Sequence, residues 1–476
     1  MSSIDLELCY LSASEVLKRF KACSLSPVEY LAELIRRAEE TEPAINAFAF
    51  TWFDQAMDQA KEAEAKYARK DTNIRELEGL PIAVKDAADI EGQPLTKGSL
   101  YLKDNISTET HYSIQRLLDA GGIVHARTTT PEFGCSGVCD SKIYGTTHTP
   151  WKIGYTCGGS SGGSGASLAV GSTPLATGSD IGGSIRIPAA CCGVVGYKPP
   201  YGRNPGGTAG SFDMYHALGP MTRTVSDAAM MQNILCGPHP LDNASIRPKY
   251  VLPDTYEDIQ GLRIAWSMDL GFFEVDEHVQ ANTLKTLDVL KDLGAELVEV
   301  DFGWSAEADR ALQNYLDHLF NGNIKAIVDT DPDLATPWAT YCANAAGKTS
   351  AMDFSAAYET QAKMSRHVGA IMDDCYAFIC PTNNCHEIPA DQDPNDPVVI
   401  NGKTVDPLYG WCMAHPFNML GRLPVLSVPS GVGGNGLPTG IQIVARHLDD
   451  ERVFRVAMAL EKAQPWLDCP ERRPSI

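Results

Sequence analysis

Amphipathic segments with helical spacing alternate along the chain with short, wholly apolar runs, which predicts an α/β fold. Ser26, Pro27 and Glu29 form the cap, the first-turn proline and the capping-box acid of one such helix. The apolar runs are rich in β-branched residues and indicate strands that are buried on both faces. They cover residues 81–84, 122–124, 263–266, 377–379 and 440–444. Strands of this kind predict a mostly parallel, buried sheet.

Neither an internal repeat nor a long Ser/Gly or charged linker interrupts these patterns. We therefore expect one large domain over residues 1–476, with a helical N-terminal part at about 1–75 and a core at about 76–235. Residues from about 236 to 476 would form a smaller α/β subregion and the C-terminal part. The stretch 386–406 is rich in Pro, Asp and Asn, which is typical of an irregular surface loop.

Composition excludes several classes of protein. With 44% hydrophobic residues the chain can bury a core, so it is neither disordered nor fibrous. It has 39 Lys and Arg against 60 Asp and Glu, a net charge of −21, which disfavours direct contact with nucleic acid or an anionic membrane. No apolar run approaches the ~18 residues of a membrane span, and the first residues lack the features of a secretory signal. We therefore expect a cytoplasmic protein.

The chain has 14 cysteines, scattered from Cys9 to Cys469. Without a secretory signal, we expect them to be buried free thiols rather than a disulfide framework. Some cysteines lie close together in the sequence, but no two Cys-x-x-Cys motifs combine into the spacing of a zinc site. The sequence therefore predicts no metal site and no cofactor.

Many of the 41 glycines are concentrated in two Gly/Ser-rich segments, residues 158–166 and 178–186. A flexible linker is excluded because apolar residues such as Leu168, Val170 and Leu175 lie between them and must pack. A phosphate-binding loop is disfavoured, since neither Gly-x-x-x-x-Gly-Lys-Ser/Thr nor Gly-x-Gly-x-x-Gly directly after a strand occurs. We therefore expect the glycines to serve backbone positions where a Cβ does not fit.

The same region offers a candidate nucleophile. Gly158–Gly162 matches the Gly-x-Ser-x-Gly elbow of α/β-hydrolases, which needs an acid and a histidine further along the chain. The histidines available there are His386, His415 and His447. A buried, neutral lysine is the alternative base for a serine. Lys85 ends the apolar run 81–84, although an ion pair with Asp86 would also account for a lysine at that place.

Taken together, these motifs resemble the amidase signature family of hydrolases. The matching segments are Gly79–Asp86, Gly158–Ser164, Asp180–Pro188 and Gly193–Pro199. The resemblance extends to Leu31–Phe48, Pro131–Trp151, Leu218–Met221 and Pro416–Pro429. The similarity extends over nearly the whole chain. It implies a single large α/β domain in which helices cover a central mixed, mostly parallel twisted sheet, the amidase signature fold.

The resemblance implies a role for each matching residue. Ser184 matches the family's nucleophile, Ser160 the serine that follows a cis peptide bond, and Lys85 the base that takes a proton through Ser160. The backbone N–H groups that match the family's oxyanion hole are those of Ile181, Gly182, Gly183 and Ser184. Asp180 and Arg186 flank this site, and we expect structural roles for both.

The sequence departs from the family's common pattern near these motifs. Cys157 stands where proline is frequent before Gly158-Gly159, and Thr129 and Thr149 replace frequent asparagines. These departures bear on substrate preference, because we expect the segment 133–144 to line the pocket for the acyl group. The residues expected to contact the substrate are Gly134, Cys135, Ser136, Tyr144 and Gly159.

The sequence thus predicts a stand-alone amidase that cleaves the carbon–nitrogen bond of a small hydrophobic amide, anilide or carbamate through an acyl-enzyme on Ser184. Its partner would be the small-molecule amide, and the resemblance also allows a homodimer. A second hypothesis is the glutaminase (A) subunit of a tRNA-dependent amidotransferase, which works inside a complex. A third, a catalytically silent binding or scaffold module, is disfavoured because Lys85, Ser160 and Ser184 are all present.

Overall fold

An 11-stranded mixed β-sheet runs through the centre of the structure. The structure is a computed structural model that describes residues 4–207 and 209–476. The strands, in chain order, are β1 Phe48–Thr51, β2 Pro81–Lys85, β3 Ile123–Thr128, β4 Asp140–Ser141, β5 Gly145–Thr146, β6 Leu175–Asp180, β7 Val195–Lys198, β8 Ala217–Thr222, β9 Arg263–Trp266, β10 Glu296–Glu299, β11 Ala377–Pro381, β12 Val398–Ile400, β13 Lys403–Val405, β14 Val425–Val432 and β15 Pro438–Val444.

Helices cover both faces of this sheet. Those that the structure describes are α1 Leu6–Cys9, α2 Ala13–Lys21, α3 Pro27–Ile45, α4 Phe53–Arg69, α5 Tyr112–Asp119, α6 Gly162–Ala169, α7 Arg186–Cys192, α8 Val225–Leu235, α9 Glu277–Asp292, α10 Glu307–Leu319, α11 Asn321–Val328, α12 Pro337–Ala345, α13 Ala351–Asp374, α14 Pro416–Met419 and α15 Asp450–Ala463.

The large sheet has the strand order β1-β3-β2-β6-β8-β7-β14-β15-β11-β9-β10. Strands β3, β2 and β6 pair in parallel near one end, and β11, β9 and β10 do so at the other. The α/β class and the mixed, helix-covered sheet are confirmed. The sheet is less parallel than expected, because four of the ten pairings among the described residues are parallel.

The central strands β8, β7, β14 and β15 explain this difference. They run antiparallel and are nevertheless almost wholly buried, since helices lie on both sides of them. In β15, Ile441 and Ile443 pack in one core with α9 and α15, whereas Gln442 faces the opposite side and accepts a hydrogen bond from Arg186 at 2.8 Å. An apolar run reports burial on both faces and does not report strand direction.

The local elements that the sequence predicts are present. Four of the apolar runs form β2, β9, β11 and β15, and the fifth leads into β3. The predicted capping box opens α3: the N–H of Val28 donates to Ser26 Oγ at 3.0 Å, and the N–H of Ser26 donates to Glu29 at 3.1 Å. Local hydrogen bonding of this kind depends on neighbours in the sequence, so the pattern suffices to predict it.

The stretch 386–406 differs from the expected irregular surface loop. It contains the two-stranded hairpin β12–β13, and Ile388, Val398 and Ile400 are buried in a core cluster. The turn of the hairpin is Asn401-Gly402, and both residues have positive φ, 49° and 79°. Asn-Gly between two β-branched runs is a strong signal for a tight hairpin, and its pairing was hidden by the surrounding polar residues.

Helix α6 contains residues 162–166 of the first Gly/Ser-rich segment and is buried along its whole length. A Cβ at Gly163 would lie 2.3 Å from the carbonyl oxygen of Ala47, so only glycine allows the helix to come this close. The glycines of this segment therefore serve close packing, which agrees with the exclusion of a linker.

Two further expectations concern the whole chain. Within the described residues, no helix has both the length and the apolar character to cross a membrane. All 14 cysteines are free thiols, and all except Cys23 and Cys469 are buried. The subregion boundaries near residues 75 and 235 stay predictions.

Candidate active site

Lys85 is the last residue of β2, and its side chain ends in the protein interior. Its Nζ lies 2.7 Å from Ser160 Oγ and 3.0 Å from Ser179 Oγ, and the residue is 2% exposed. Strand β2 pairs with β6, the strand that carries Ser179. Two serine hydroxyls from different parts of the chain therefore converge on one amine.

Burial determines the protonation of this amine. Loss of solvent lowers the pKa of Lys85 from 10.5 to about 7, and the nearby Cys139 and Asp180 offset only part of that shift. A sizeable fraction of Lys85 is therefore neutral near pH 7 and able to accept a proton.

Ser160 lies two residues before α6 and follows a cis peptide bond, as the resemblance implies. A Cβ at Gly159 would lie 2.5 Å from the carbonyl oxygen of Ser136. The absence of a side chain at Gly159 lets the chain pass directly against the neighbouring segment and brings the hydroxyl of Ser160 to Lys85.

Ser184 lies in the loop between β6 and α7, and Asp180 holds this loop. The N–H of Gly183 donates to Asp180 Oδ1 at 2.8 Å and the N–H of Ile185 to Oδ2 at 3.1 Å. Arg186 forms two further hydrogen bonds to the same carboxylate, each 3.0 Å long, and both side chains are fully buried. Burial raises the pKa of Asp180, but Arg186 outweighs it and holds that pKa below its usual value.

The backbone N–H groups of this loop divide into two sets. Gly183 has a φ of +110°, and its N–H is engaged by Asp180, so the structure does not leave it free for a substrate. The N–H groups of Ile181, Gly182 and Ser184 have no acceptor among the residues that the structure describes. Three of the four expected oxyanion donors are therefore open, and the fourth supports the loop.

Two cavities meet at Ser184. The larger has a volume of about 290 Å³ and is also lined by Lys85 and Ser160. The smaller has a volume of about 50 Å³, and neither Lys85 nor Ser160 is among its described lining residues. Ile181 and Phe320 line both cavities.

The two cavities differ in chemical character. The larger one has acidic and basic side chains in its lining as well as apolar walls. Besides Lys85, these residues are Asp89, Lys97, His111, Asp213 and His216. Aliphatic, aromatic and thiol side chains form most of the smaller cavity. They belong to Cys135, Ile187, Leu316, Cys342, Tyr409 and Cys412.

The structure brings most of the expected substrate-contacting residues together. Those that line the smaller cavity are Gly134, Cys135, Ser136 and Gly159. Tyr144 is the exception, since it lines neither cavity. Its hydroxyl lies 2.6 Å from Thr96 Oγ1 and 3.2 Å from Asp86 Oδ2, because the turn between β4 and β5 directs it there.

The alternatives left open by the sequence do not fit this geometry. Asp86 accepts hydrogen bonds from Thr96 at 2.5 and 3.1 Å and forms no ion pair with Lys85. His386 contacts Asn435, His415 contacts Asp309, and His447 lines a different cavity. A histidine-based nucleophile elbow at Gly158–Gly162 is therefore wrong.

Sequence reasoning missed several residues of the site. Ser179 directly precedes the Asp180 motif, but its place beside Lys85 depends on the parallel pairing of β2 with β6, which no pattern along one segment reports. Phe320 and Tyr409 had no local signal, because they lie in the α10–α11 junction and in a loop far along the chain.

Known proteins resemble the chain along nearly its whole length. The model of the amidase family matches residues 29–454. An acylamidase of Rhodococcus erythropolis is 35% identical over 98% of this chain and 98% of its own. The A subunit of a glutamyl-tRNA(Gln) amidotransferase from Caldanaerobacter subterraneus subsp. tengcongensis is 30% identical, covering 96% of this chain and 97% of its own.

A solved structure supports the same relationship. The crystal structure of a bacterial aryl acylamidase of the amidase signature family matches with a TM-score of 0.89 at 29% identity, over 96% of this chain and 97% of that one. The resemblance drawn from the motifs is confirmed. With that fold and that family match, the chain belongs to the amidase signature family and is a hydrolase of carbon–nitrogen bonds in linear amides.

Proposed function

We propose that this amidase hydrolyses anilides with a short acyl group, using Ser184 as nucleophile, Ser160 as proton relay and Lys85 as base. The observation that carries the proposal is the 2.7 Å contact between Lys85 Nζ and Ser160 Oγ in a cavity that Ser184 also lines. A buried amine and a hydroxyl at this distance can pass a proton directly.

In the acylation half-reaction, neutral Lys85 takes the proton of Ser160 while Ser160 takes that of Ser184. Ser184 Oγ attacks the amide carbonyl carbon, and a tetrahedral oxyanion forms. The same relay then returns the proton to the amide nitrogen, the carbon–nitrogen bond breaks, and the amine leaves. Lys85 is neutral again, and the acyl group remains as an ester on Ser184.

Deacylation repeats these steps with water. Water gives a proton to Lys85 through Ser160 and attacks the ester carbonyl, and the proton returns to Ser184 Oγ as the carboxylic acid leaves. In both halves the oxyanion would accept from the open N–H groups of Ile181, Gly182 and Ser184. Each such donor can be worth about 3 kcal/mol to the transition state.

The position of Ser160 supports a role for each cavity, one for the amine and one for the acyl group of the substrate. Ser160 must protonate the leaving nitrogen, so the amine lies on the side of Ser160 and Lys85, in the larger cavity. The acyl group then extends into the smaller one. This orientation follows from proton transfer alone, because a donor must be within hydrogen-bond reach of its acceptor.

The volumes favour an arylamine joined to a short acyl chain. A cavity of about 150 Å³ holds a benzene ring, and the amine side has about 290 Å³, with Phe133 and Phe320 in its wall. The acyl side, at about 50 Å³, has room for only a few carbon atoms. The similarity to an acylamidase and to an aryl acylamidase supports the same substrate class.

The second candidate is glutaminase activity, because amidotransferase A subunits of 30% identity are among the relatives. A glutaminase must hold the charged amino-acid end of glutamine on its acyl side. None of the described residues that line the smaller cavity carries a charge that could pair with this end of glutamine. The anilide therefore fits this chain better than glutamine.

A substrate panel tests the proposal. Purified enzyme is assayed with acetanilide, butyranilide, octananilide and glutamine, and with a fluorophosphonate that labels active serines. We expect kcat/KM to fall about 100-fold or more between the short and the long acyl chain, since the extra methylenes have no space. Ser184→Ala should abolish both turnover and labelling, whereas Ser167→Ala, a buried serine that lines neither cavity, should keep both.

The outcomes separate the parts of the proposal. Persistent labelling of Ser184→Ala would exclude Ser184 as the nucleophile. A preference for the octanoyl chain would overturn the assignment of the cavities but leave the reaction. Ammonia release from glutamine without anilide hydrolysis would favour the glutaminase.

A further inference from the structure

A separate cavity of about 610 Å³ lies against helix α13. Its walls come from α13 and from two segments, 420–423 and 446–447, together with Tyr201 and Met214. Lys85, Ser160 and Ser184 do not line it. The volume lies within the range of about 300–1,000 Å³ that is typical of small-molecule sites.

The floor of this cavity is apolar. The side chains that form it are Met214, Val368, Met372, Leu420 and Leu423. Four of them, Val368, Met372, Leu420 and Leu423, are buried and belong to the core. An apolar ligand body could therefore leave water by entering the cavity.

Two basic side chains, Arg422 and His447, lie at this cavity. Arg422 and His447 form neither a hydrogen bond through their side chains nor an ion pair with any residue that the structure describes, and both are exposed. Arg446, in contrast, is engaged by Asp449 at 2.9 Å. None of the described lining residues is acidic. Although the chain has a net charge of −21, this cavity has basic side chains at its edge and favours the binding of an anion.

We propose that this cavity is a second binding site, for a monocarboxylate with an aliphatic or aromatic body, and that its occupancy changes turnover at Ser184. The carboxylate pairs with the guanidinium of Arg422, which can hold it through two hydrogen bonds. His447 lies beside it, and the body of the ligand covers the apolar floor.

A short segment connects the two sites. Asp213 lines the larger active-site cavity, and the next residue, Met214, lines the second cavity. The hydroxyl of Tyr215 donates to Gln361 of the second cavity at 2.9 Å, and its ring stacks on Tyr315 at 3.8 Å. The hydroxyl of Tyr315 donates to Asp213 at 2.8 Å. A ligand that displaces Met214 or Gln361 therefore acts on the wall of the active site.

The first experiment measures binding to the full-length enzyme by calorimetry. The probe is octanoate, with n-octanol and octylammonium as the neutral and cationic counterparts. We expect octanoate to bind and both counterparts to bind at least about tenfold more weakly, because only the anion can pair with Arg422. Equal binding of the three probes, or no binding of octanoate, would overturn the proposal.

Matched variants test whether octanoate binds in this cavity. Arg422→Ala should weaken octanoate binding about tenfold or more, since it removes the charge partner. Arg366→Ala is the control, because Arg366 is an exposed arginine of α13 that does not line the cavity. Val368→Trp should fill the cavity and remove binding. If Arg422→Ala and Val368→Trp both bind octanoate as tightly as the wild type, this cavity is excluded as the site.

The second experiment measures coupling. The rate of acetanilide hydrolysis is followed with increasing octanoate in the wild type and in Arg422→Ala. We expect a change in kcat or KM in the wild type that is absent from Arg422→Ala at the same concentration. An identical response in both enzymes would show that octanoate acts at the active site and would overturn the coupling. The calorimetry measures octanoate binding and uses no amide substrate, so its result is independent of the proposed function.

Discussion

Lys85 combines two properties that conflict elsewhere in proteins, deep burial and the absence of a carboxylate partner. Two serine hydroxyls at 2.7 and 3.0 Å replace the ion pair. They solvate the neutral amine but compensate a full charge only in part, so burial lowers its pKa. A base suited to neutral pH results from the position of the side chain rather than from a special neighbour.

The pH profile of the enzyme follows from this position. Since only neutral Lys85 accepts a proton, kcat/KM should rise with pH and reach half its plateau near the lowered pKa of about 7. Lys85→Arg stays protonated and should lose this rise together with most of the activity. The profile is measured on acetanilide from about pH 5 to pH 9.

Neighbouring histidines should not produce the same rise. Burial lowers the pKa of His111 to about 3 and also lowers that of His216. His216→Asn should therefore leave the midpoint in place. A midpoint that moves with this variant would assign the rise to His216 instead of Lys85.

Ser179 is expected to act as a positioning residue through its contact with Lys85. Ser179→Ala removes one of the two hydroxyls at the amine, so kcat should fall about 10- to 100-fold. The midpoint of the pH profile should move down, because the charged form of Lys85 loses an acceptor. Ser179→Thr keeps the hydroxyl and should restore both values. A merely structural role would lower activity without moving the midpoint.

At the scale of elements, the β6–α7 loop shows how one strand end and one helix start create a site. Asp180 is the last residue of β6 and Arg186 the first of α7. Their buried pair closes the loop. Asp180 also accepts from the N–H groups of Gly183 and Ile185, whereas those of Ile181, Gly182 and Ser184 have no acceptor among the described residues. The loop also needs a glycine in a conformation that other residues rarely adopt.

Gly182 and Gly183 allow a test of whether the loop needs this backbone conformation. At Gly183, φ is +110° and a Cβ would lie 2.7 Å from Ala414 Cβ, whereas a Cβ at Gly182 would meet nothing within 4 Å. Gly183→Ala should lower the free energy of unfolding by about 2 kcal/mol. Gly182→Ala should leave it nearly unchanged. Urea unfolding followed by circular dichroism measures both, and equal effects would contradict the importance of this conformation.

Some of these elements could be predicted from the sequence, and others could not. The cap of α3 and the strand β2 followed from patterns of adjacent residues. The motifs around Lys85, Ser160 and Ser184 were equally contiguous, so the resemblance located them. The hairpin at Asn401-Gly402 had a local signal that its polar surroundings obscured. Phe320 and Tyr409 had none, since they reach the site only through packing.

At the scale of the whole molecule, the β6–α7 loop depends on residues more than 200 positions away. Arg186 donates to the carbonyl oxygen of Ala414 at 2.7 Å, to Gln442 at 2.8 Å and to Asn418 at 2.6 Å. Asn418 also donates to Asp180 at 2.8 Å. The C-terminal part therefore holds the charged pair that shapes the site.

Asn418→Ala should accordingly affect both stability and turnover. It removes one hydrogen bond from each of the buried side chains of Asp180 and Arg186, which should cost about 2 kcal/mol of unfolding free energy. Loosening the loop should also lower kcat. Asn395→Ala is the control, because Asn395 is exposed and its side chain contacts Asp393 of its own loop. Equal effects of both variants, in unfolding and kinetic assays, would contradict this link.

The sequence by itself determined the chemical groups and the local elements. The contiguous motifs of Lys85, Ser160 and Ser184 carried the family and the type of reaction, because a loop that presents N–H groups and a hydroxyl is built from neighbouring residues. The tertiary structure decided the direction of the central strands, the engagement of Gly183 by Asp180, and the division of the site into two cavities, of which the larger also has acidic and basic side chains in its lining. These features arise where distant segments pack, and a pattern along one segment reports its burial but not its partner.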